Sequence, residues 1–445
     1  MRHSLKRHSL KRHSLKRHSL KRWGRGASTL VALVVLLTAA AGGEASASQV
    51  RAESKHFVIT YDSGTSFDYV QLVQRGLDAA YDLFVVRSAF ATFPTAALVI
   101  ILDEETGSMG AEYLDADDAG NPVPVIEIAS EAAMQAAADT TSTGLSLTQA
   151  VLSTTAHEFF HVLQDYASLN GVGDASEPAF IEPLATAVQE IAAPNANDYI
   201  DAAADFLLAP DAVSFFDRGY DGGLFWVFVL DRYGGLDAVR RVMKASATYD
   251  GSQAIDHAFA AEGFTFLDLW AKFAIALVTN TLPDAGVIAK LLASWRSELD
   301  LPSLCLPPAL TVADWTGAPA VLDRVTETSP AAALLGTSDS AIGAQLLGTQ
   351  FPGAQLRVAY PYGIDVVSIR PRSASPLAIS VTASAATDFR VAVAGRRGAV
   401  WELLSPSGRN VLVHNPQGYE EIRIILTRGE TGTGSYTVHL AGVSS

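Results

Sequence analysis

Two histidines and a glutamate lie close together in the run His157-Glu158-Phe159-Phe160-His161. Because an α-helix turns once every 3.6 residues, a helical backbone would place His157 and His161 on one face, where both imidazoles can bind one metal ion. Glu158 follows the first histidine, so its carboxylate can reach a water held by that metal and act as general base in peptide hydrolysis. The spacing therefore predicts a metal-dependent hydrolytic site.

One helix, from Ser146 to Leu169, is predicted to carry this motif. Ser146 and Gln149 have the spacing of a capping box, and Asn170-Gly171 is typical of a helix end. Apolar side chains give the helix a surface to bury: Val151, Ala156, Phe159, Phe160, Leu163 and Tyr166. Burial of this helix would keep bulk water away from the metal pocket.

A catalytic zinc site usually has three protein ligands and one open position, so a third ligand is needed. A second helix is predicted to begin at Glu182, with Pro183 in its first turn, where a missing N–H costs little. Here the chain resembles the gluzincins, the zinc peptidases of the thermolysin and aminopeptidase N type, in which a Glu on the next helix completes the site. The resemblance assigns that role to Glu182, beside His157 and His161. Glu177 is a less favoured alternative ligand.

Tyr220 begins the run Tyr-Asp-Gly-Gly-Leu-Phe-Trp, which resembles an aminopeptidase segment in which a tyrosine precedes a helix start of small residues. The resemblance implies that Tyr220 donates a hydrogen bond to the developing oxyanion. A tyrosine packed into a turn is the alternative. The similarity covers roughly residues 55–278, where the order of elements is similar to that of peptidase-MA-like bacterial secreted proteins.

The second helix departs from the family at Pro183, where a glycine is common. The partners of the ligand imidazoles are also less familiar. Ligating histidines normally donate their other ring N–H to a carboxylate or carbonyl. Thr186 stands one turn past Glu182, followed by Gln189 and Glu190, and Glu190 is our candidate for this partner.

The N-terminal residues predict where the protein works. Arg-His-Ser-Leu-Lys occurs four times in residues 1–22, an apolar stretch runs from Leu30 to Ala41, and Ala45-Ser46-Ala47 is a small-residue cleavage site. We therefore expect a signal peptide cleaved after Ala47 and a secreted or periplasmic protein. The apolar stretch is too short to span a membrane comfortably, so no stable membrane insertion is expected after cleavage.

The charge balance and the cysteine count exclude some partners. The chain has a net charge of −15, and its first 47 residues hold ten of the 32 basic residues and one of the 47 acidic ones, which leaves −24 on the rest. Such a protein should bind no nucleic acid. Cys305 is the single cysteine, which excludes intramolecular disulfides and a multi-thiolate metal site. The expected partner is a peptide or protein substrate, and the sequence does not predict an oligomeric state.

The predicted fold class is α+β: a gluzincin-like zinc peptidase domain with a helical subdomain, followed by a C-terminal all-β sandwich. Five regions are predicted: a signal peptide (1–47), a zincin-like α/β catalytic subdomain (48–211), a helical subdomain (212–300), a linker (301–345) and the β-sandwich (346–445). Strands are expected at His56 to Tyr61, Ala97 to Leu102 and Val123 to Ile128, and a helix at Phe67 to Phe84. Six short runs separated by turn residues predict the sandwich: Leu356 to Val358, Val366 to Ile369, Leu377 to Thr382, Phe389 to Val393, Ile422 to Leu426 and Tyr436 to Leu440.

Two further expectations concern the region before the motif helix. The strand Val123 to Ile128 should present a free edge near the metal, along which an extended peptide could pair. The preceding residues, Asp103 to Asn121, predict an acidic loop. A calcium site at Asp115, Asp117 and Asp118 is an alternative to a simple solvated loop.

These observations predict a secreted zinc-dependent metallopeptidase with Zn2+ as its cofactor. An endopeptidase is favoured, because we find no Gly-x-Met-Glu-Asn-like segment such as binds the substrate amine in aminopeptidase N relatives. The alternative is a noncatalytic secreted binding protein whose β-sandwich serves adhesion or partner binding. The presence of three ligands together with Glu158 argues against that alternative.

Overall fold

The computed structural model describes residues 49–88, 97–101, 109–117, 119–171, 173, 177–208, 210, 214–290, 310–315, 320–325, 362–383, 388–429 and 435–442. The predicted signal peptide, Cys305 and the predicted strand Leu356 to Val358 lie outside these residues. No helix within the described ranges combines the length and the apolar character that crossing a membrane requires.

A five-stranded sheet begins the described chain, with the strand order β1-β2-β3-β5-β4. Its strands are β1 (Gln49–Glu53), β2 (Phe57–Asp62), β3 (Ala97–Ile101), β4 (Gly110–Ala116) and β5 (Pro122–Ile128). The central strands β2, β3 and β5 run parallel, and β1 and β4 are antiparallel edge strands. The three strands expected from the sequence are confirmed, and their buried apolar residues join the main core.

Two expectations about this sheet are wrong. β5 has no free edge, because Ile126 pairs with Val99 of β3 on one side and with Glu112 of β4 on the other. Among the described strands, β4 forms the edge on this side of the sheet, and it stands where an acidic loop was predicted. The run Gly-Ala-Glu-Tyr-Leu-Asp-Ala lacks the alternation of apolar and polar residues that identifies a half-buried strand, since β4 lies at the edge and is only partly buried. Pairing with β5 makes it a strand.

Four α-helices belong to this part of the described chain: α1 (Phe67–Tyr81, continued by a π-helical segment to Arg87), α2 (Glu131–Thr140), α3 (Leu147–Leu169) and α4 (Glu182–Ala192). Helices α1 and α3 pack directly on the sheet, and α2 and α4 pack on α3. The predicted capping box is present at the start of α3, between Ser146 and Gln149, and Asn170 caps its end. Phe159 packs in the core with its ring centroid 5.5–6.5 Å from those of Phe57, Tyr81 and Phe84. This packing fixes the rotation of α3 about its axis.

A helical region follows. It contains α5 (Tyr199–Ala202), α6 (Ala204–Leu208), α7 (Gly223–Arg232), α8 (Leu236–Ser246), α9 (Gly251–Phe259) and α10 (Phe266–Val278). Aromatic side chains fill the space between α7 and α10: Phe215 lies with its ring centroid 4.9 Å from that of Phe225 and 5.1 Å from that of Trp270. Trp226 of α7 donates from its indole N–H to the carbonyl of Ala179, just before α4. The helical region is therefore packed directly onto the elements that carry the predicted site.

Two sheets, in which most neighbouring strands run antiparallel, form a C-terminal sandwich. Their strand orders are β11-β10-β13-β8-β6 and β12-β9-β14-β7. The strands are β6 (Leu310–Trp315), β7 (Ala320–Val325), β8 (Ile364–Pro371), β9 (Leu377–Ala383), β10 (Phe389–Arg397), β11 (Val400–Ser405), β12 (Asn410–Val413), β13 (Glu421–Arg428) and β14 (Ser435–Gly442). Residues of both sheets, such as Ile424 and Val438, share one apolar core. The five predicted strands that fall on described residues are confirmed. The sheets also extend into the segment treated as linker, through β6 and β7.

The sandwich packs against α10. Arg423 of β13 is buried and donates from Nη1 to the carbonyl of Val278, 3.2 Å away, at the end of α10. Arg390 of β10 forms an ion pair with Asp268 of α10, with 3.1 Å between Nε and Oδ1. Apolar residues of β8, β10 and β13 belong to the same core cluster as the helices. The described residues all belong to one compact unit.

Candidate metal centre

α3 and the first turn of α4 bring three of the predicted residues together. His157 Nε2 lies 3.0 Å from His161 Nε2, and Glu182 Oε2 lies 3.2 Å from the first of these atoms and 3.4 Å from the second. Among the described residues, this is the one group of three or more His, Cys, Asp or Glu side chains whose ligand atoms lie within 4.8 Å of one another. Glu177 is not part of it. The cluster is largely buried and can hold a metal ion.

The Gln164 side chain determines which nitrogen of His161 carries the proton. Its amide NH2 group donates to the carbonyls of Phe180 and Ile181, at 2.6 and 3.3 Å. Carbonyl oxygens only accept, so the amide oxygen must face the other way, toward His161 Nδ1 at 2.7 Å. His161 Nδ1 therefore donates to Gln164, and the lone pair of Nε2 points toward Glu182.

The same logic applies to His157. Gln189 Nε2 donates to Asp198 Oδ1 at 2.6 Å, and a carboxylate oxygen only accepts. The amide oxygen of Gln189 thus faces His157 Nδ1, at 2.7 Å, and accepts a hydrogen bond from the N–H group there. Gln189, and not Glu190, is the imidazole's partner. Glu190 instead accepts a hydrogen bond from the backbone N–H of Asn197, at 3.2 Å.

Three electron-pair donors consequently face one point, and their mutual repulsion favours a cation there. The pKa values of His161 and Glu182 agree with this. Burial alone would lower the pKa of His161, but a hydrogen bond to Glu182 and the charge of that carboxylate raise it to about 10. Burial would raise the pKa of Glu182, yet hydrogen bonds with the imidazoles of His157 and His161 hold it well below its usual range. A proton or a metal ion at this point relieves the repulsion among the three donor atoms.

Glu158 lies beside the triangle with 7 % of its surface exposed. Burial raises the pKa of its carboxyl, opposed by the charges of His157 and His161, while the charge of Glu182 raises it further. β4 passes next to it at Gly110, which has no side chain to occupy the space. Glu158 is therefore held between α3 and the edge strand of the sheet.

Tyr220 also lies at the centre. It begins a short 3₁₀ turn before α7, and its ring stacks on the His157 ring with 5.7 Å between centroids and 15° between planes. Although 52 % of the residue is exposed, its hydroxyl forms a hydrogen bond with Glu182. Partial burial, followed by the charge of Glu182 and this hydrogen bond, raises the pKa of Tyr220 well above its usual range.

Small residues let the Tyr220 turn approach α4. A Cβ on Gly223 would lie 2.9 Å from Thr186 Cγ2, and one on Gly222 would lie 3.1 Å from Pro183 Cγ. Pro183, the departure from the family pattern, thus packs against the turn without displacing Glu182. The two glycines of the Tyr-Asp-Gly-Gly run are therefore explained by this close packing, independently of any chemical role of Tyr220.

Sequence reasoning missed a third acidic side chain near the site. Glu112 of β4 has its pKa raised to about 8, first by burial, then by the charges of Asp165 and Glu158, against an opposing effect of His161. Gly110 and Glu112 are two residues apart on one strand, so they share the face turned toward α3. The sequence points to Glu112 only if residues 110–116 are known to form a strand.

The three residues of the triangle, Glu158 and Tyr220 come from three separate elements, and the structure brings them together at one site. A scan against protein-family models and a search of curated proteins both find no match for this chain. The assignment of a function therefore depends on the geometry of this site.

Proposed function

We propose that the protein is a zinc-dependent metallopeptidase in which His157, His161 and Glu182 hold the metal. The observation that carries this proposal is the triangle of ligand atoms. Bonds of 2.0–2.1 Å at tetrahedral angles place neighbouring ligand atoms about 3.3 Å apart. The separations here are 3.0, 3.2 and 3.4 Å. Two imidazole nitrogens and one carboxylate oxygen are also a donor set that zinc accepts in catalytic sites.

Zinc bound there would supply a Lewis acid that polarises the scissile carbonyl and makes water more acidic. The chain's own residues move the protons. Glu158 takes a proton from the attacking water onto its carboxylate and then delivers it to the nitrogen of the leaving amine. Tyr220 donates its hydroxyl proton in a hydrogen bond to the carbonyl oxygen as that oxygen gains negative charge. Tyr220 stacks on the His157 ring and Glu158 follows His157 on α3, so both groups adjoin the same ligand.

The outer edge of β4, which pairs with no other described strand, supports a peptide substrate. An extended chain can add to an exposed sheet edge through backbone hydrogen bonds, and β4 passes directly beside Glu158 at Gly110. Such pairing needs no chain terminus, so it favours cleavage within a chain. Glu112 supports a second candidate, removal of N-terminal residues, because its buried carboxyl can give its proton to a free amino group and then pair with that group as a carboxylate. A comparison of N-acetylated and free peptides separates the two.

We also propose that the protein is related to the gluzincins that its sequence resembles. Its signal-like N-terminus suggests that it is secreted. The rival proposal is a noncatalytic secreted binding protein with the same fold. That protein would keep the metal triangle without turnover. The two proposals differ in whether the Glu158 carboxyl acts as a general base in peptide hydrolysis.

The deciding experiment uses the chain from Ser48 to Ser445, its Glu158→Gln variant and the surface control Glu53→Gln. Zinc is measured by elemental mass spectrometry, and hydrolysis with casein and a quenched-peptide library. We expect one zinc per chain in all three proteins and a loss of about 10²–10⁴-fold in turnover for Glu158→Gln alone. Zinc without any hydrolysis by the wild type would support the binding protein, and no zinc would refute the metal site.

A further inference from the structure

We propose that Asp198 positions the metal centre from outside it, by fixing which way the Gln189 amide points and hence which nitrogen of His157 carries the proton. Asp198 hydrogen-bonds to Gln189 and Ser153 and is not one of the three residues of the triangle. It acts through Gln189, and the inference rests on the proposed zinc site.

Asp198 joins the two helices that supply the ligands. Its Oδ1 accepts from Gln189 Nε2 on α4, at 2.6 Å, and its Oδ2 accepts from Ser153 Oγ on α3, at 2.5 Å. Ser153 precedes His157 by four residues and thus lies one helical turn away on the same face. Ser153 and Gln189 are 1 % and 6 % exposed, so water does not replace these contacts.

The orientation of Gln189 matters because an amide has an oxygen on one side and an NH2 group on the other. If Gln189 were turned over, its NH2 group would face His157 Nδ1, which would then have to accept. The proton of His157 would move to Nε2, the atom that must offer a lone pair to the metal. A carboxylate at position 198 prevents this, since two oxygens would then face each other at hydrogen-bond distance.

His161 needs no such side chain. Its partner Gln164 is oriented by the backbone carbonyls of Phe180 and Ile181, which cannot change role. The neighbouring Glu190 does not disturb the arrangement either. Burial, followed by the charge of Asp198 and a hydrogen bond with that carboxylate, raises the pKa of Glu190 to about 9, so at neutral pH it adds no second negative charge beside Gln189. Asp198 is thus the one acidic group hydrogen-bonded to Gln189 in the described residues.

Exchanging amide and carboxylate between the two positions tests this. In Asp198→Asn, Ser153 still donates to the new amide oxygen, so the new NH2 group faces Gln189 and favours the wrong orientation. In Gln189→Glu, two carboxylates face each other. In the double variant Gln189→Glu, Asp198→Asn, the carboxylate at position 189 accepts from both His157 and the NH2 group at position 198. The native order of donors and acceptors then returns.

The expected result is a zinc dissociation constant raised about 10–100-fold in each single variant and restored to within about threefold of the wild type in the double variant. Competition with a chromophoric chelator measures it. The control Asp201→Asn alters a nearby carboxylate that binds Ser142 and not Gln189, and should leave zinc affinity unchanged. Single variants that bind zinc as tightly as the wild type, or a double variant that does not recover, would overturn the proposal.

Proton NMR of the zinc-loaded proteins gives a second readout that mere loss of stability would not produce. The wild type should show two downfield imidazole N–H signals, one from each ligand histidine. Asp198→Asn should lose or shift the His157 signal and keep that of His161. Equal loss of both signals would indicate general disruption and count against the proposal. Zinc binding without peptidase activity would refute the proposed function but leave this test intact, whereas a wild type that binds no zinc would refute both.

Discussion

A Cβ atom on Gly110 would lie 2.8 Å from both Cγ and Oε1 of Glu158. Real side chains essentially never approach so closely, and Thr154 Cγ2 closes the space on another side at the same distance. The edge strand β4 and the carboxyl of Glu158 can therefore keep their positions only because residue 110 has no side chain.

Replacing Gly110 by alanine should displace the Glu158 carboxyl while the metal ligands stay in place. We expect kcat to fall about 10²-fold, because a displacement of about 1 Å from the reactive geometry has that effect. Zinc content should not change. Steady-state hydrolysis of a quenched peptide measures the loss, and Gly64→Ala, at a position with nothing within 4 Å of the added Cβ, is the matched control. A Gly110→Ala enzyme with wild-type kcat would show that Glu158 is not the general base.

Replacing Tyr220 by phenylalanine removes the hydroxyl and keeps the ring that stacks on His157. If the hydroxyl donates to the developing oxyanion, kcat should fall about 10²–10³-fold with zinc affinity preserved. Tyr249→Phe, at a tyrosine that stacks on His257, serves as control. Should Tyr220→Phe turn over peptides normally, its role would be limited to packing.

Removing the metal should lower the thermal stability of the protein. A ligand that binds only the folded state stabilises it by about 2.7 kcal/mol at a free concentration 100 times its dissociation constant. We expect the Tm to fall on addition of a chelator and to recover with zinc. Glu182→Gln should show a much smaller difference between the two conditions, as measured by differential scanning calorimetry. An equal zinc effect on this variant would place the bound metal elsewhere.

Acid should weaken the contact between α10 and the sandwich. Burial acts to raise the pKa of Asp268, but its hydrogen bonds with Thr265 and Arg390 outweigh burial and lower it. A carboxyl whose pKa is lower in the folded state stabilises above its unfolded pKa of about 4 and loses that contribution as pH falls below it.

The free energy of unfolding of the wild type should therefore exceed that of Asp268→Asn at pH 6, by up to about 1 kcal/mol for this partly exposed pair. The difference should shrink as the pH falls from about 5 toward about 2. Urea denaturation across this range measures it, with Asp139→Asn on α2 as control. A difference that is independent of pH would contradict the assigned ion pair.

Local patterns predicted much of the site. Ser146, Gln149 and the spacing of His157 and His161 are all read within one helix, where the period of 3.6 residues determines which side chains share a face. Glu182 came from resemblance, and the structure places it against both imidazoles. Gln164 could also have been found, because it lies three residues after His161 on the same helix.

The remaining features depend on contacts between distant parts of the chain. Gln189 lies 32 residues from His157, and only the packing of α4 on α3 shows that it, rather than Glu190, faces the imidazole. The strands β6 and β7 pair with β8 and β14, which lie much farther along the chain. The hydrophobic periodicity within one segment does not indicate which distant segment it pairs with.

The contact of Arg423 with the Val278 carbonyl joins the sandwich to the last turn of α10, inside a core shared with the helices of the metal centre. Arg423 also lies under the Trp401 ring, 4.1 Å from its centroid. Cutting the chain before the sandwich would expose the apolar face of α10 and leave a buried carbonyl without its donor. The two halves should therefore melt in a single cooperative transition, and a protease that attacks one must wait for both to open.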